Sequence, residues 1–252
     1  MEFTAERIQQ ALTPRAARYY ERVGSTNEIA LEWLKIGAPD GAVVIADEQT
    51  NGRGRLGRSW QTPPGAALAV SVIVRPRVEF VSQITMLGAL AIHDTLLRFG
   101  VKDSGIKWPN DVQVNGRKIC GVLPEAVWDG DRLLGVVLGL GLNVRVDFTG
   151  TELETTAISL EAVLGRPVNR LEVLVGLLDS VDHWYILLGR PALFEAWKSR
   201  LTTLGQMVVV GEVRGLAERV DEAGALWVRD GSGELRCILA GDVALGTDKH
   251  GN

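Results

Sequence analysis

Polar and apolar positions along this chain repeat with two periods, and the switches between them mark out its elements. The first 18 residues are mixed, with one amphipathic patch around Ile8 and Leu12. Residues 19–23 read as a strand. Gly24-Ser25-Thr26-Asn27 then opens a helix, with Ser25 or Thr26 as N-cap, Glu28 in the first turn, and Ile29, Trp33 and Ile36 (or Leu34) on one face. After a break at 37–41, residues 42–46 form a buried strand leading into Asp47-Glu48-Gln49-Thr50. Residues 66–74 are a strand of small and β-branched residues, closed by Arg75-Pro76-Arg77. Residues 82–99 carry Ile84, Leu87, Leu90, Ala91 and Leu96 at helical spacing, which predicts a helix facing the core. His93, within it, is read as a hydrogen-bonded or solvent-facing residue and not a catalytic one.

From residue 106 the period shortens. Residues 111–114, the turn Asn115-Gly116 and residues 118–128 form a β-hairpin; Asp129-Gly130-Asp131 turns the chain again into a third strand, 133–144. Sequential hairpin strands mean antiparallel pairing, so the fold class is α+β, a mainly antiparallel mixed sheet with helices. Gly139 and Gly141 fall inside the third strand, where a missing side chain marks close approach by backbone or ligand. Residues 158–164 are helical. Asn169 caps a helix carrying Leu171, Leu174, Val175, Leu178, Val181 and Tyr185, and Pro191 starts another with Phe194, Trp197 and Leu201. Trp184 and Trp197 are read as packing residues. Beyond residue 205, short strands at 207–213, 216–220, 225–229 and 235–239 are spaced by glycine turns, which predicts a small SH3-like β-barrel. The expected division is 1–204 for the larger domain and 205–252 for the barrel, with the boundary near Leu204.

A chain of 252 residues, 46% of them hydrophobic, buries a substantial core, and a net charge of −4 argues against general affinity for nucleic acid. No apolar run approaches membrane-spanning length and the N-terminus does not read as a signal peptide, so a cytoplasmic protein is expected. Cys120 and Cys237 suit no metal spacing; each lies in an apolar, strand-like run and is expected to be a buried, reduced thiol.

Against this acidic background stands Gly52-Arg53-Gly54-Arg55-Leu56-Gly57-Arg58-Ser59-Trp60. Glycine lets main-chain N–H groups approach a ligand, and arginine brings a planar donor fork matched to phosphate or carboxylate oxygens. The stretch reads as a mobile cationic clamp for an anion, with Trp60 offering a flat face to a ring. It satisfies G-x-G-x-x-G, but Gln61-Thr62-Pro63-Pro64-Gly65 is a turn where a dinucleotide-binding fold needs a helix N-terminus, so that reading is rejected. A solvated Arg-Gly loop without a ligand remains an alternative, as does a purely capping role for Ser25-Thr26-Asn27.

Taken in order, Ser25-Thr26-Asn27, Glu48-Gln49-Thr50, the arginine-glycine block, Lys107-Trp108-Pro109-Asn110-Asp111, Gly116-Arg117-Lys118 with Gly121, and the strand 139–143 closely resemble the biotin protein ligases. The resemblance covers nearly the whole chain and implies the catalytic fold shared by class II synthetases and biotin–lipoate ligases, followed by the small barrel. Two departures stand out. Pro124 occupies a position where the family carries an ordinary strand residue, so an edge or bulge is expected there. The N-terminal DNA-binding domain of the longer members has no counterpart, so DNA binding and operon repression are not expected.

The resemblance implies two half-reactions: biotin and MgATP give biotinyl-5′-AMP and pyrophosphate, then a lysine of a biotin carboxyl-carrier protein, such as an acetyl-CoA carboxylase subunit, takes the biotinyl group. It implies Lys107 and Arg55 as the catalytic cations. For biotin it implies Ser25, Thr26, Asn27, Gln49, the Arg53 backbone, Gly54, Arg55, Lys107, Gly139 and Gly141. For ATP or AMP it implies Arg55, Arg58, Trp60, Asn110 and Asn143. Asp111 is expected to orient the acceptor lysine or a magnesium ion, or simply to cap the hairpin. Magnesium is expected to arrive with the phosphates, and a homodimer is an option. The rival readings are a lipoate ligase or acyl transferase of the same fold, and a non-catalytic nucleotide- or RNA-binding module.

Overall fold

The structure, a computed structural model, describes residues 3–245. The chain runs through α1 (Ala5–Leu12), β1 (Ala17–Val23), α2 (Thr26–Lys35), β2 (Val43–Gln49), β3 (Ala67–Val74) and α3 (Ile84–Arg98). Next come β4 (Ser104–Lys107), β5 (Asp111–Val114), β6 (Arg117–Asp129) and β7 (Arg132–Asn143), then α4 (Leu160–Leu164), α5 (Arg170–Ile186) and α6 (Pro191–Ser199). Short strands β8 (Met207–Val210), β9 (Val213–Val220), β10 (Leu226–Asp230), β11 (Leu235–Ile238) and β12 (Ala244–Leu245) follow.

The first seven strands form one mixed sheet in the order β1-β2-β3-β7-β6-β5-β4. Only β1 and β2 are parallel, and α2 is the crossover that parallel pairing demands. Every position of β3 is buried because both its faces are covered. Leu68, Val70 and Val72 point with Leu138, Leu140 and Leu142 of β7 into the main apolar cluster, which contains α3 and the inner side of α5. Ile73, Val44 and Val137 point the other way, under Ala30 and Leu34 of α2. That corrects one residue of the expected inward face of α2: Ile36 is 77% exposed and its alternative, Leu34, is buried, while Ile29 and Trp33 pack half-buried against the same cluster, the Trp33 ring covered by Arg18 at 3.9 Å. Sandwiched between sheet and α5, α3 has little need of polar residues. With the 3₁₀ turn before it, Val78–Arg98 is long and apolar enough to cross a membrane, against the sequence expectation, yet it is the core helix of this fold.

Pro124 does sit at an edge. Pairing of β5 with β6 ends at Asp111 and Gly121, and the Val122 N–H still reaches Asn110 O at 3.0 Å. Two residues on, the donor that proline lacks would point past the end of β5, while Pro124 keeps regular register with Leu138 of β7. The cysteine expectation fails for one of the pair. Cys120 is fully buried and its thiol is pushed up by desolvation, whereas Cys237 lies on the outer strand β11 and is exposed.

The C-terminal strands form a five-stranded antiparallel sheet, β11-β10-β9-β8-β12, in which the expected first strand is split in two. Its inward residues, among them Val208, Ala217, Leu226 and Val228, join the same apolar cluster as the main sheet. Trp108 forms the joint: its backbone N–H donates to Thr203 Oγ1 (2.9 Å) and its indole Nε1 to Gly224 O (2.8 Å).

His93 is buried, with Nδ1 2.8 Å from Ser104 Oγ; burial first, then the Arg200 charge, lowers its pKa below the usual 6.5. A lowered histidine pKa means the unfolded chain binds the extra proton, so stability is complete above pH 6.5 and declines below it. Replacement His93→Gln should therefore flatten the fall in Tm below pH 6.5. Equal slopes for parent and variant in thermal melts would exclude His93 as the source.

Candidate active site

Strand register lays small residues side by side on the face of the sheet opposite α3. Asp111 pairs with Gly121, Gly121 with Gly141, and Gly141 with Ala69; in the neighbouring row Leu123 pairs with Gly139, and Gly139 with Ser71. Cross-strand partners share a face, so these rows form the floor of a trough. One wall is the N-terminus of α2, with Ser25, Thr26 and Asn27; the other is Asn110, Asp111 and Lys118; the roof is the Arg-Gly segment, and Asp242 closes one corner.

The α2 wall is a continuous polar chain. The Thr26 backbone N–H donates to Gln49 Oε1 (2.8 Å), which also lies 3.0 Å from Thr26 Oγ1, and Gln49 Nε2 donates to Thr62 Oγ1 (3.1 Å). Ser71 Oγ lies 2.8 Å from Thr26 Oγ1 and 2.6 Å from Asn27 Oδ1. Asn27 Nδ2 donates to Leu123 O (3.2 Å) and Glu125 Oε2 (2.6 Å). Ser25 precedes the helix in extended conformation, but its side chain makes no capping bond. An added Cβ at Gly139 would meet Asn27 Oδ1 at 2.4 Å, so that glycine is needed for the side chain beside it.

The Arg-Gly segment folds over the trough as a closed flap. Trp60 N–H bonds Gly52 O (2.8 Å) and Gly54 N–H bonds Arg58 O (2.7 Å), while Leu56 turns the tip at a left-handed φ of 54°. Its arginines are each moored: Arg55 Nη1 to Asn110 Oδ1 (3.1 Å), Arg58 to Asp242 in an ion pair, and Arg53 between Glu28 and Glu125. Trp60 lies on Gly141, where a Cβ would come within 2.6 Å of its indole, and against Gly121. With the flap down the trough encloses about 120 Å³. Sites for drug-sized ligands usually measure about 300–1,000 Å³, so a ring-plus-nucleotide ligand requires the flap and Trp60 to move.

Lys118 reaches the trough because β6 carries a bulge. Val112 pairs with Cys120 but the next residue, Gln113, pairs with Lys118, leaving Ile119 unmatched. Ile119 and Cys120 are both fully buried, so the two-residue alternation slips by one and Lys118 falls on the trough face with Gly121. Its backbone is pinned by Thr156 O (2.7 Å) and the Ile158 N–H (2.9 Å). Its Nζ is 2.7 Å from Asp111 Oδ1, a close ion pair without hydrogen-bond alignment, and 5.4 Å from the Trp60 ring centre.

Residues 19–143 match the profile of the Biotin/lipoate A/B protein ligase family. The chain is similar to the biotin–[acetyl-CoA-carboxylase] ligase of Paracoccus denitrificans, at 34% identity over 89% of this chain and 98% of that one. The chain belongs to the biotin protein ligases. The bifunctional ligase/repressor BirA of Bacillus subtilis is 31% identical over 90% of this chain and 73% of its own length. Among solved structures, the biotin protein ligase from Aquifex aeolicus in complex with biotin and ATP superposes with a TM-score of 0.79 at 28% identity, covering 92% of this chain and 98% of that one.

In this enzyme, a biotin protein ligase, the expected site residues Ser25, Thr26, Asn27, Gln49, Arg53, Gly54, Arg55, Arg58, Trp60, Asn110, Asp111, Gly139 and Gly141 come together around one trough. Two do not. Lys107 ends β4 opposite Asp111, one strand outward from the trough, and does not line it. Asn143 is buried at the end of β7, where its Nδ2 ties that strand to Ile158 O (3.2 Å). Lys118, Ser71, Glu125 and Asp242 were not singled out from the sequence. Only Lys118 had a signal there, in Gly116-Arg117-Lys118.

Proposed function

We propose that this ligase joins biotin to ATP, giving biotinyl-5′-AMP and pyrophosphate, and then passes the biotinyl group to a lysine amine of a biotin carboxyl-carrier domain. The observation that carries this reading is the polarity of one trough: a neutral hydrogen-bonding wall at Thr26–Gln49–Ser71, a floor of glycines, and cations at Lys118, Arg55 and Arg58. A cyclic urea needs paired neutral donors and acceptors; a carboxylate attacking an α-phosphate needs fixed positive charge.

In the first step the biotin carboxylate oxygen bonds to the α-phosphorus as the bond to pyrophosphate breaks. Lys118 is the ammonium placed to draw carboxylate and phosphate together, released from Asp111 as the anions arrive. Arg55 and Arg58 exchange Asn110 and Asp242 for phosphate oxygens as the flap recloses. In the second step the carrier amine attacks the mixed anhydride and AMP leaves; Asp111, freed from Lys118, takes up the orientation of that amine. Asn110, already holding Arg55 and Val122 O, would position the flap more than the nucleotide. Magnesium is taken to enter on the phosphates of ATP. The carrier assignment follows the Paracoccus relative, whose name specifies acetyl-CoA carboxylase. The proposed compartment is the cytoplasm.

A lipoate ligase would call for an apolar slot where Thr26, Gln49 and Ser71 stand. A biotin-dependent ATP–pyrophosphate exchange that lipoate fails to support, followed by a one-biotinyl mass increase on a carrier domain, tests the proposal. Exchange with lipoate alone would overturn it. Arg55→Gly is expected to leave exchange in place while biotinyl-5′-AMP escapes about 10- to 100-fold faster, as loss of a charge-assisted hydrogen bond implies. Labelling of a bystander protein reads the escape; labelling no greater than the parent's would remove Arg55 from that role.

A further inference from the structure

Glu125 lies outside the reaction just described, yet it holds one end of the polar wall. A carboxylate accepts hydrogen bonds and donates none, so the Asn27 amide must turn its nitrogen toward Glu125 Oε2, at 2.6 Å, as it also does toward Leu123 O. Asn27 Oδ1 therefore faces Ser71 Oγ at 2.6 Å, and the single Ser71 proton goes there. Ser71 then has no proton for Thr26 Oγ1, and Gln49 Oε1 is committed as acceptor of the Thr26 backbone N–H. Among the described residues of this wall no donor is left for Thr26 Oγ1, and Thr26 lines the trough. Were Asn27 reversed, Ser71 would donate to Thr26 and fill that acceptor.

We propose that Glu125 is a positioning residue for ligand specificity: through Asn27 and Ser71 it fixes the direction of the hydrogen-bond chain, so that Thr26 Oγ1 presents an acceptor to a ureido N–H. The inference rests on the reading of this wall as the end of the site that takes the cyclic urea. Asn27, in the first turn of α2, and Glu125, in β6, meet only in the folded chain. Arg53 shares the same carboxylate, with Nη2 3.4 Å from each oxygen, so charge and acceptor functions must be separated by the choice of variant.

Glu125→Met removes the acceptor; Glu125→Gln keeps an acceptor and removes only the charge. The measurements are KM for biotin, KM for ATP and kcat in pyrophosphate exchange, with Tm recorded in parallel. Glu125→Met should raise the biotin KM by about 10-fold, with ATP KM and kcat little changed. Glu125→Gln should stay within about threefold of the parent. In a Thr26→Val background, which already lacks the acceptor, Glu125→Met should add almost nothing, a non-additivity that general loosening of the wall would not produce. If Glu125→Met does not fold, the exchanged pair Asn27→Asp with Glu125→Gln supplies the test. The amide introduced on β6 would donate to the carboxylate introduced on α2, whose other oxygen still accepts from Ser71. The biotin KM of the pair should then fall below that of Asn27→Asp alone, while staying above the parent's because both lack the donor to Leu123 O. A Gln variant as defective as Met, a Met penalty undiminished in Thr26→Val, or an exchanged pair no better than Asn27→Asp would overturn the proposal. A parent chain with no biotin-dependent exchange would instead overturn the reading beneath it.

Discussion

Replacement of Lys118 by alanine is expected to lower kcat for adenylate formation by about 100- to 1,000-fold, the range seen when one preorganised transition-state donor is removed. Biotin KM should change far less, because the role proposed for the ammonium is toward charge that develops during attack on phosphorus and not toward the ring end of the ligand. The expectation follows from placement: the bulge at Ile119 sets Lys118 on the trough face, Asp111 holds it at 2.7 Å, and its backbone is pinned on both sides by residues 156–158. Lys107→Ala, one strand outward, should cost less than about tenfold. Pyrophosphate exchange under saturating ATP and biotin compares the two. If Lys107→Ala were the more damaging, the assignment of the central cation would revert to it.

The largest expected loss of stability comes from Arg170→Ala, far from the trough. Arg170 is 6% exposed; its Nη1 meets Asp47 Oδ1 at 2.6 Å, its Nη2 donates to Ala67 O at 2.7 Å, and its guanidinium lies 4.1 Å from the centre of the Phe3 ring. Removing one partner of a buried ion pair costs about 3–5 kcal/mol, because the other charge and a carbonyl are left without their donor. Asp47 keeps some contact with water, which places the expected loss near the lower end, about 3 kcal/mol. For a chain of this size that corresponds to a fall in Tm of roughly 6–12 °C. Asp47 also accepts the Gly65 N–H at 2.9 Å, so the root of the segment that follows the flap should loosen too. Urea unfolding monitored by circular dichroism measures the difference; a loss below about 1 kcal/mol would show that Asp47 and Ala67 O are satisfied without Arg170.

Individual elements show how far local pattern carried. The hairpin and third strand were legible because Asn115-Gly116 and Asp129-Gly130-Asp131 interrupt runs of period two, and β6 and β7 lie where those runs are. The α3, α5 and α6 helices were legible from their apolar spacing and from Asn169 and Pro191 at the starts of the latter two. By contrast, β4 has only four residues and no period to read. On α2 the spacing left Ile36 and Leu34 as alternatives for the inward face; the sheet beneath takes Leu34 together with Ala30, and Ile29 and Trp33 pack at the margin of that contact.

The sequence by itself determined most of the strands and helices, the glycine floor and the family, since each depends on neighbours a few positions away or on motifs that stand whole in the chain. Only the tertiary structure decided which lysine faces the trough. An unbroken alternation from Cys120 would send Lys118 into the core, and the bulge that reverses it exists through pairing with β5. Likewise Asn27 meets Glu125, Arg58 meets Asp242 and Cys237 faces solvent because of strand order and the fit of the C-terminal sheet. Local periodicity says which side chains share a face; register and long-range packing say what that face meets.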